Sequence, residues 1–133
     1  MKNLYQWSIL CLIAALLAGC AKNITTSRTS EVFEEFYDRF HADERFQLDR
    51  VKFPLSGEYE GPEGSQPWVK SAWEPHKQKV TEISDPQYIT DIVKTEGEVI
   101  EKVQEDGGGF YSERRFQLID GKWYLVFYDT VNL

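Results

Sequence analysis

Phe116-Gln117-Leu118-Ile119-Asp120-Gly121-Lys122-Trp123-Tyr124-Leu125 is the stretch that decides the fold. Asp-Gly between two apolar, β-prone runs is a strong signal for a two-residue hairpin turn, because these residues accept the positive φ that such a turn demands. Strands are therefore predicted over Phe110–Ile119 and Lys122–Val131. Upstream, Gly97–Glu105 reads as a third strand, joined to the next through Asp106-Gly107-Gly108-Gly109, and Tyr88–Val93 as a fourth. The turns set the register. A two-residue turn places Leu118 opposite Trp123, Phe116 opposite Leu125, Arg114 opposite Phe127 and Ser112 opposite Asp129. A four-residue turn at Asp106–Gly109 places Val99 opposite Phe116, Glu101 opposite Arg114 and Val103 opposite Ser112. Residues two apart share a face, so all of these lie together.

The N-terminal half supplies a helix. Val32, Phe33, Phe36, Tyr37 and Phe40 recur at helical spacing, with Glu34, Glu35, Asp38 and Arg39 between them. Ser30 is the expected N-cap with Glu31 in the first turn, and Glu35 and Arg39 form an expected i,i+4 pair. Asp43 is expected to cap a second, short helical turn carrying Phe46. Val51–Leu55 alternates like a strand, and Pro54 suggests an edge or a strand end. Ser56–Pro67 reads as a long Gly/Pro/Glu-rich loop of the functional or mobile kind, Trp68–Glu74 as another strand, and Pro75–Pro86 stays ambiguous. The fold class expected from this pattern is α+β, an N-terminal amphipathic helix packed on a curved antiparallel sheet.

A helix followed by a meander that closes on Asp120-Gly121-Lys122-Trp123 resembles the cystatin-like cone of the nuclear-transport-factor-two-like superfamily. Within that superfamily, Phe36-Tyr37-Asp38-Arg39-Phe40, Asp43, Phe46-Gln47, Arg50-Val51 and Phe53-Pro54-Leu55 resemble a family of small Bacteroides-type lipoproteins, over a span from about Ser30 to Val131. The resemblance implies the cone fold and no particular activity, and it carries over no catalytic residue. The superfamily includes isomerases, dehydratases and many non-enzymatic binding or accessory domains, among which fold does not choose.

The hairpin face suggests a candidate ligand pocket. One end is apolar, through Val99, Phe116, Leu118, Trp123 and Leu125; the other carries Glu101, Arg114, Ser112 and Asp129. In a cone, an apolar floor with a polar end suits a ligand, whereas the same charges at an open sheet end suit simple solvation. Catalysis by the trio is the weakest reading, since an Arg-paired carboxylate makes a poor general base at neutral pH. Asp91 would serve as a base if its face of the Tyr88–Val93 strand is the buried one; Tyr88, Thr90 and Ile92 compete for that place. Trp68 and Trp73 suit either stacking on a planar or sugar-like ligand or packing in the core. The candidate pocket is thus Glu101, Arg114, Asp129, Trp73 and Asp91. No metal, cofactor or catalytic residue is assigned. His41 and His76 lack metal-ligand spacing, the Gly triplet opens no helix, and no nucleophile elbow occurs.

The N-terminus points to location. Lys2 precedes an apolar run, Trp7–Ala18, that is too short to span a bilayer as a helix. The run closes on Leu17-Ala18-Gly19-Cys20, which resembles a bacterial lipobox. That implies a signal peptide over residues 1–19, acylation of Cys20, a tether over residues 20–29 and one domain over residues 30–133, held in the envelope by its lipid. Ala21 after the cysteine implies the outer membrane, facing the periplasm. Cys11 leaves with the signal, so no disulfide is expected. The chain carries a net charge of −7, and loss of Lys2 lowers it by one more. Such acidity gives no footprint for nucleic acid and is repelled by anionic lipid, leaving the acyl chains to anchor the domain in the bilayer. Four Trp, seven Tyr and eight Phe favour a filled aromatic core or an aromatic-lined cavity over disorder. Three functions stay open: a non-enzymatic module for a small ligand or an envelope partner, an isomerase- or dehydratase-type enzyme pairing a pocket carboxylate such as Asp91 with a tyrosine or His41, and an interaction protein that dimerises through its sheet face.

Overall fold

A computed structural model describes residues 29–133. The signal, Cys20 and tether readings lie on residues outside that span, except for the tether's last residue, Thr29. The elements are α1 (Phe33–Ala42), α2 (Glu44–Asp49), β1 (Val51–Gly61), β2 (Gly64–Trp68), β3 (Tyr88–Lys94), β4 (Glu98–Glu105), β5 (Phe110–Ile119) and β6 (Lys122–Asn132), with short 3-10 turns at Lys70–Ala72 and Val80–Glu82. The strands form one sheet in the order β2-β1-β6-β5-β4-β3. The fold is mixed α+β as expected, with one departure from the antiparallel plan: β1 runs parallel to β6. The connection that returns the chain after α2 delivers β1 beside the last strand.

Helix α1 forms where its aromatics recur. Phe33, Phe36, Tyr37 and Phe40 are buried on one face and meet Val99, Phe116, Trp123 and Leu125 of the sheet. Helix entry differs from expectation. Val32 is the N-cap without a side-chain cap, and it is half exposed, not part of the apolar face. Ser30 is not the N-cap because the next residue is already committed to the sheet: Glu31 N–H donates to the Gly121 carbonyl at 2.9 Å. The Glu31 carboxylate receives Arg50 Nη1 at 2.8 Å and Trp123 N–H at 2.9 Å, pinning the β5–β6 turn to α2. Arg39 meets Asp43 at 3.8 Å and covers the Phe46 ring, in place of the expected pairing with Glu35. Asp43 caps α2 as expected, accepting from Phe46 N–H at 3.0 Å.

The segment read as a loop over Ser56–Pro67 is instead the β1–β2 hairpin. Gly61 pairs with Gly64 across Pro62-Glu63, and Tyr59 pairs with Gln66. Gly61, Pro62 and Gly64 mark the turn, Gly57 lies at the irregularity in β1, and Pro67 lies within β2. Pro54 sits in an interior strand, contrary to the edge reading. It is tolerated because the β1–β6 register jumps between Val51 and Ser56, so no ladder bond is asked of it. Gly57, at φ +87°, lies in the same irregular region, and a Cβ there would stand 2.1 Å from the Tyr128 carbonyl oxygen. Gly57→Ala is therefore expected to lose about 1–3 kcal/mol by urea titration, and an unchanged midpoint would refute this tight approach. The strand expected over Trp68–Glu74 ends at Trp68, and a 3-10 turn follows.

Candidate functional site

The β4–β5 register is as the turn predicts: Val99 faces Phe116, Glu101 faces Arg114 and Val103 faces Ser112. The β5–β6 register holds for Leu118–Trp123 and Phe116–Leu125 and then shifts. Val126 is an extra residue between Leu125, paired with Phe116, and Phe127, paired with Arg115. The bulge reverses which residues face inward. Arg114 faces Tyr128 in place of Phe127, and Ser112 faces Thr130 in place of Asp129. Asp129 therefore leaves the candidate pocket; it pairs with Glu113 on the outer face and accepts Glu58 N–H at 3.1 Å. Asp91 also falls away, exposed on the outer face opposite Lys102. The apolar end of the expected pocket is filled by α1 and is core.

What remains is buried, not the solvated sheet end that exposed ion pairs would give. Glu101 and Arg114 are 2% and 5% exposed, and Arg114 Nη2 stands 2.8 Å from Glu101 Oε2. The contact is ionic, with no guanidinium N–H aimed squarely at that oxygen. Tyr37 Oη donates to Glu101 Oε1 and accepts Val80 N–H at 3.1 Å. Burial and the Glu101 charge push the Tyr37 hydroxyl far up, so it stays a donor. On its other side Arg114 Nη1 meets His76 Nδ1 at 3.1 Å and, at a longer 3.4 Å, His41 Nε2. His41 Nδ1 donates to the Tyr37 carbonyl at 2.8 Å, which leaves Nε2 free to accept.

Gln47 holds this arrangement together, and no local sequence pattern marks it as part of a site. Its side chain, 1% exposed, donates to the Phe40 and His76 carbonyls, both at 2.7 Å. It accepts from His76 N–H at 2.8 Å and from Trp73 Nε1 at 3.1 Å. One amide thus ties α1 to the Trp73–His76 segment and places His76 on Arg114. Trp73 is half-buried against Phe53, Trp68, His76 and Tyr128, so packing is its principal part here.

Beyond α1 the inner face of the sheet is only partly covered. Three clefts of about 420, 270 and 440 Å³ lie side by side there, neighbours sharing lining residues. Phe110 lines all three, and Arg114, Ser112 and Val103 floor the middle one. The arrangement offers only weak general bases. Glu101 is held by Tyr37 at Oε1 and by the Arg114 charge at Oε2, and the histidines are neutral with a lowered affinity for a proton. Burial pushes His41 down to about 4 and His76 to about 3; the Arg114 guanidinium lowers both, against a partly opposing bond from His41 to Tyr37. Among the described residues no cluster of three His, Cys, Asp or Glu could hold a metal ion, and no helix is long and apolar enough to cross a membrane.

These histidines make stability depend on pH. Above their ordinary value of 6.5 both are neutral, folded or unfolded, and they contribute nothing. Below it the unfolded chain binds protons that the folded chain refuses. Stability should then fall by up to about 1.4 kcal/mol per pH unit for each histidine, until the folded values near 4 and 3 are reached. Glu31 and Glu113, whose values are lowered, lose their contribution only below about 4.5. The interval from 6.5 to 5 therefore isolates the histidines. Urea midpoints should drop across it, less so in His76→Asn; a flat profile would refute the burial of neutral imidazoles.

The fold has relatives among solved structures. A cystatin-like protein from Bacteroides caccae is 24% identical, with 78% of this chain and 77% of that one aligned at a TM-score of 0.58. A protein from Bacteroides uniformis is 25% identical, with 77% of each chain aligned at 0.57. An NTF2-like protein from Bacteroides fragilis is 18% identical at 0.51, with 78% of this chain covering 48% of that one. No curated protein matches the chain. A family model matches residues 31–132, nearly all of the described span. The chain belongs to that family, one of unknown function, and shares its fold with cystatin-like and NTF2-like proteins from Bacteroides.

Proposed function

We infer that this protein is a non-enzymatic binding or accessory domain, held at the cell envelope by an acylated Cys20. Its ligand or partner segment occupies the trough on the uncovered half of the inner sheet face. The observation that carries the reading is the trough itself, open over a floor that includes the buried Arg114 and half-buried His76. Building polar groups into an apolar recess costs desolvation that a plain core would avoid, and convergent polar groups over an apolar floor are what ligand sites use. The ion-paired Glu101 and the low proton affinity of both histidines make them weak general bases, which favours binding over acid–base catalysis.

Native mass spectrometry of the full chain, extracted gently from its own envelope fraction, tests the trough. A reproducible adduct that weakens in Arg114→Lys supports it, since lysine keeps the charge beside Glu101 but loses the fork that reaches His76. A bare monomer or a bare dimer overturns it. The anchor is tested separately. Wild-type chain should sediment with membranes and Cys20→Ser should not, as two or three acyl chains anchor stably; a wild-type chain that stays in the soluble fraction removes the envelope assignment.

A further inference from the structure

We propose that the trough binds an extended, neutral carbohydrate chain. This rests on the reading of the trough as a binding site and names the chemistry of its ligand. Half-buried aromatic side chains recur along its length, from Tyr59 and Trp68 at the β1–β2 hairpin, through Tyr128 and Phe110, to Tyr88 at the far edge. Trp68 stacks on Tyr128 at 4.5 Å between ring centroids, and Tyr88 meets Phe110 edge to face at 5.8 Å. These rings hold one another in place, so a ligand that rests on them need not order them first. Flat, amphipathic rings suit the C–H faces of pyranose units, which are apolar on the face and polar at the rim.

The rims carry the matching polar chemistry. Gln66, Asn132 and Glu74 border the cleft at the hairpin end, and Gln78, Ser84 and Asp85 the cleft at the far end; all six are exposed. Amides, a hydroxyl and carboxylates give both donors and acceptors, as a run of sugar hydroxyls requires. Charge disfavours anionic competitors. Of the two cations of the trough, the buried Arg114 is paired with Glu101 at 2.8 Å, and the exposed Lys77 lies 2.9 Å from the equally exposed Glu44, a weak surface pair. Glu74, Glu82 and Asp85 leave the lining acidic, which repels nucleic acid, phosphates, fatty acids and uronates. A wholly apolar chain would strip water from Ser112 and His76 without replacing its bonds.

The test is titration of the full chain, held in polyoxyethylene-ether micelles that contain no sugar, with neutral hexasaccharides of β-1,4-glucan, α-1,4-glucan and β-1,4-mannan. Tryptophan fluorescence and calorimetry report binding. At least one neutral chain should saturate the protein. A hexauronate and an uncharged hexapeptide should each bind at least about tenfold more weakly, and Trp68→Ala should weaken binding about fivefold to tenfold. Since Trp68 also packs inside the protein, the exposed rim variant Gln66→Ala/Asn132→Ala serves as the second probe. It leaves the core untouched and should likewise lose several-fold affinity. No binding by any of the three neutral chains overturns the proposal, as does preference for the hexapeptide or the hexauronate. If the sugars fail while the adduct from envelope extract still disappears in Arg114→Lys, only the carbohydrate assignment falls; if that adduct is absent too, the binding reading falls with it.

Discussion

Arg114→Met is expected to cost about 3–5 kcal/mol of unfolding free energy, a large share of what a domain of this size possesses. Arg114 is 5% exposed, and its guanidinium stands 2.8 Å from the carboxylate of Glu101, which is 2% exposed. Removing it leaves Glu101 with only the Tyr37 hydroxyl as a partner, enclosed by packed side chains. A lone buried charge is costly, whereas a buried pair taken out together often is not. The double variant Arg114→Met/Glu101→Gln should therefore recover at least half of the loss, because the amide is uncharged and still accepts from Tyr37. Urea titrations of the two single variants, the double and the wild type at pH 7 close the cycle. Strictly additive losses would mean that the two groups do not sense each other, and the buried cluster would have to be abandoned.

The Glu101–Arg114 pairing was legible in the sequence, and its burial was not. The pairing depends only on a turn count, four residues between two strands, which Asp106–Gly109 displays openly. Burial depends on Tyr37 arriving from α1 and on the Trp73–His76 segment closing over the other side. That closure hangs on Gln47, whose partners lie up to 29 residues away and leave no local pattern. Asp129 was misplaced for a different reason. Leu125-Val126-Phe127-Tyr128 is apolar or aromatic throughout, so a two-residue period has no visible phase there and one extra residue passes unseen. The β1–β2 hairpin is hidden by its own glycines and prolines, which punctuate a loop and a bulged strand alike. Helix α1 was legible because its face repeats an aromatic at helical spacing, and its first residue was not, because the sheet claims Glu31 before the helix begins.

The dependence of the site on the core gives the second expectation. Phe116→Ala should lose about 3–5 kcal/mol, comparable to the charge variant but by another route. Phe116 is fully buried at the centre of β5. Its ring meets those of Phe33, Phe36, Tyr37 and Phe40 at centroid distances of 5.7, 5.8, 6.0 and 5.4 Å. Those four are the buried Phe and Tyr residues of α1, so this one ring touches the whole row. Alanine would leave a cavity that four aromatic neighbours in fixed rotamers cannot collapse to fill. Because Tyr37 is one of the four, slackening the row also loosens the hydroxyl that holds Glu101. Near-ultraviolet circular dichroism should therefore weaken while the far-ultraviolet signal of the sheet persists, and the pH dependence between 6.5 and 5 should shrink as His41 and His76 gain water. Ile89→Ala, at a side chain 49% exposed on β3, should by contrast stay within about 0.5 kcal/mol of wild type. A Phe116→Ala protein with normal stability and an unchanged pH profile would mean that α1 is held by its other contacts, and that the aromatic row does not carry the site.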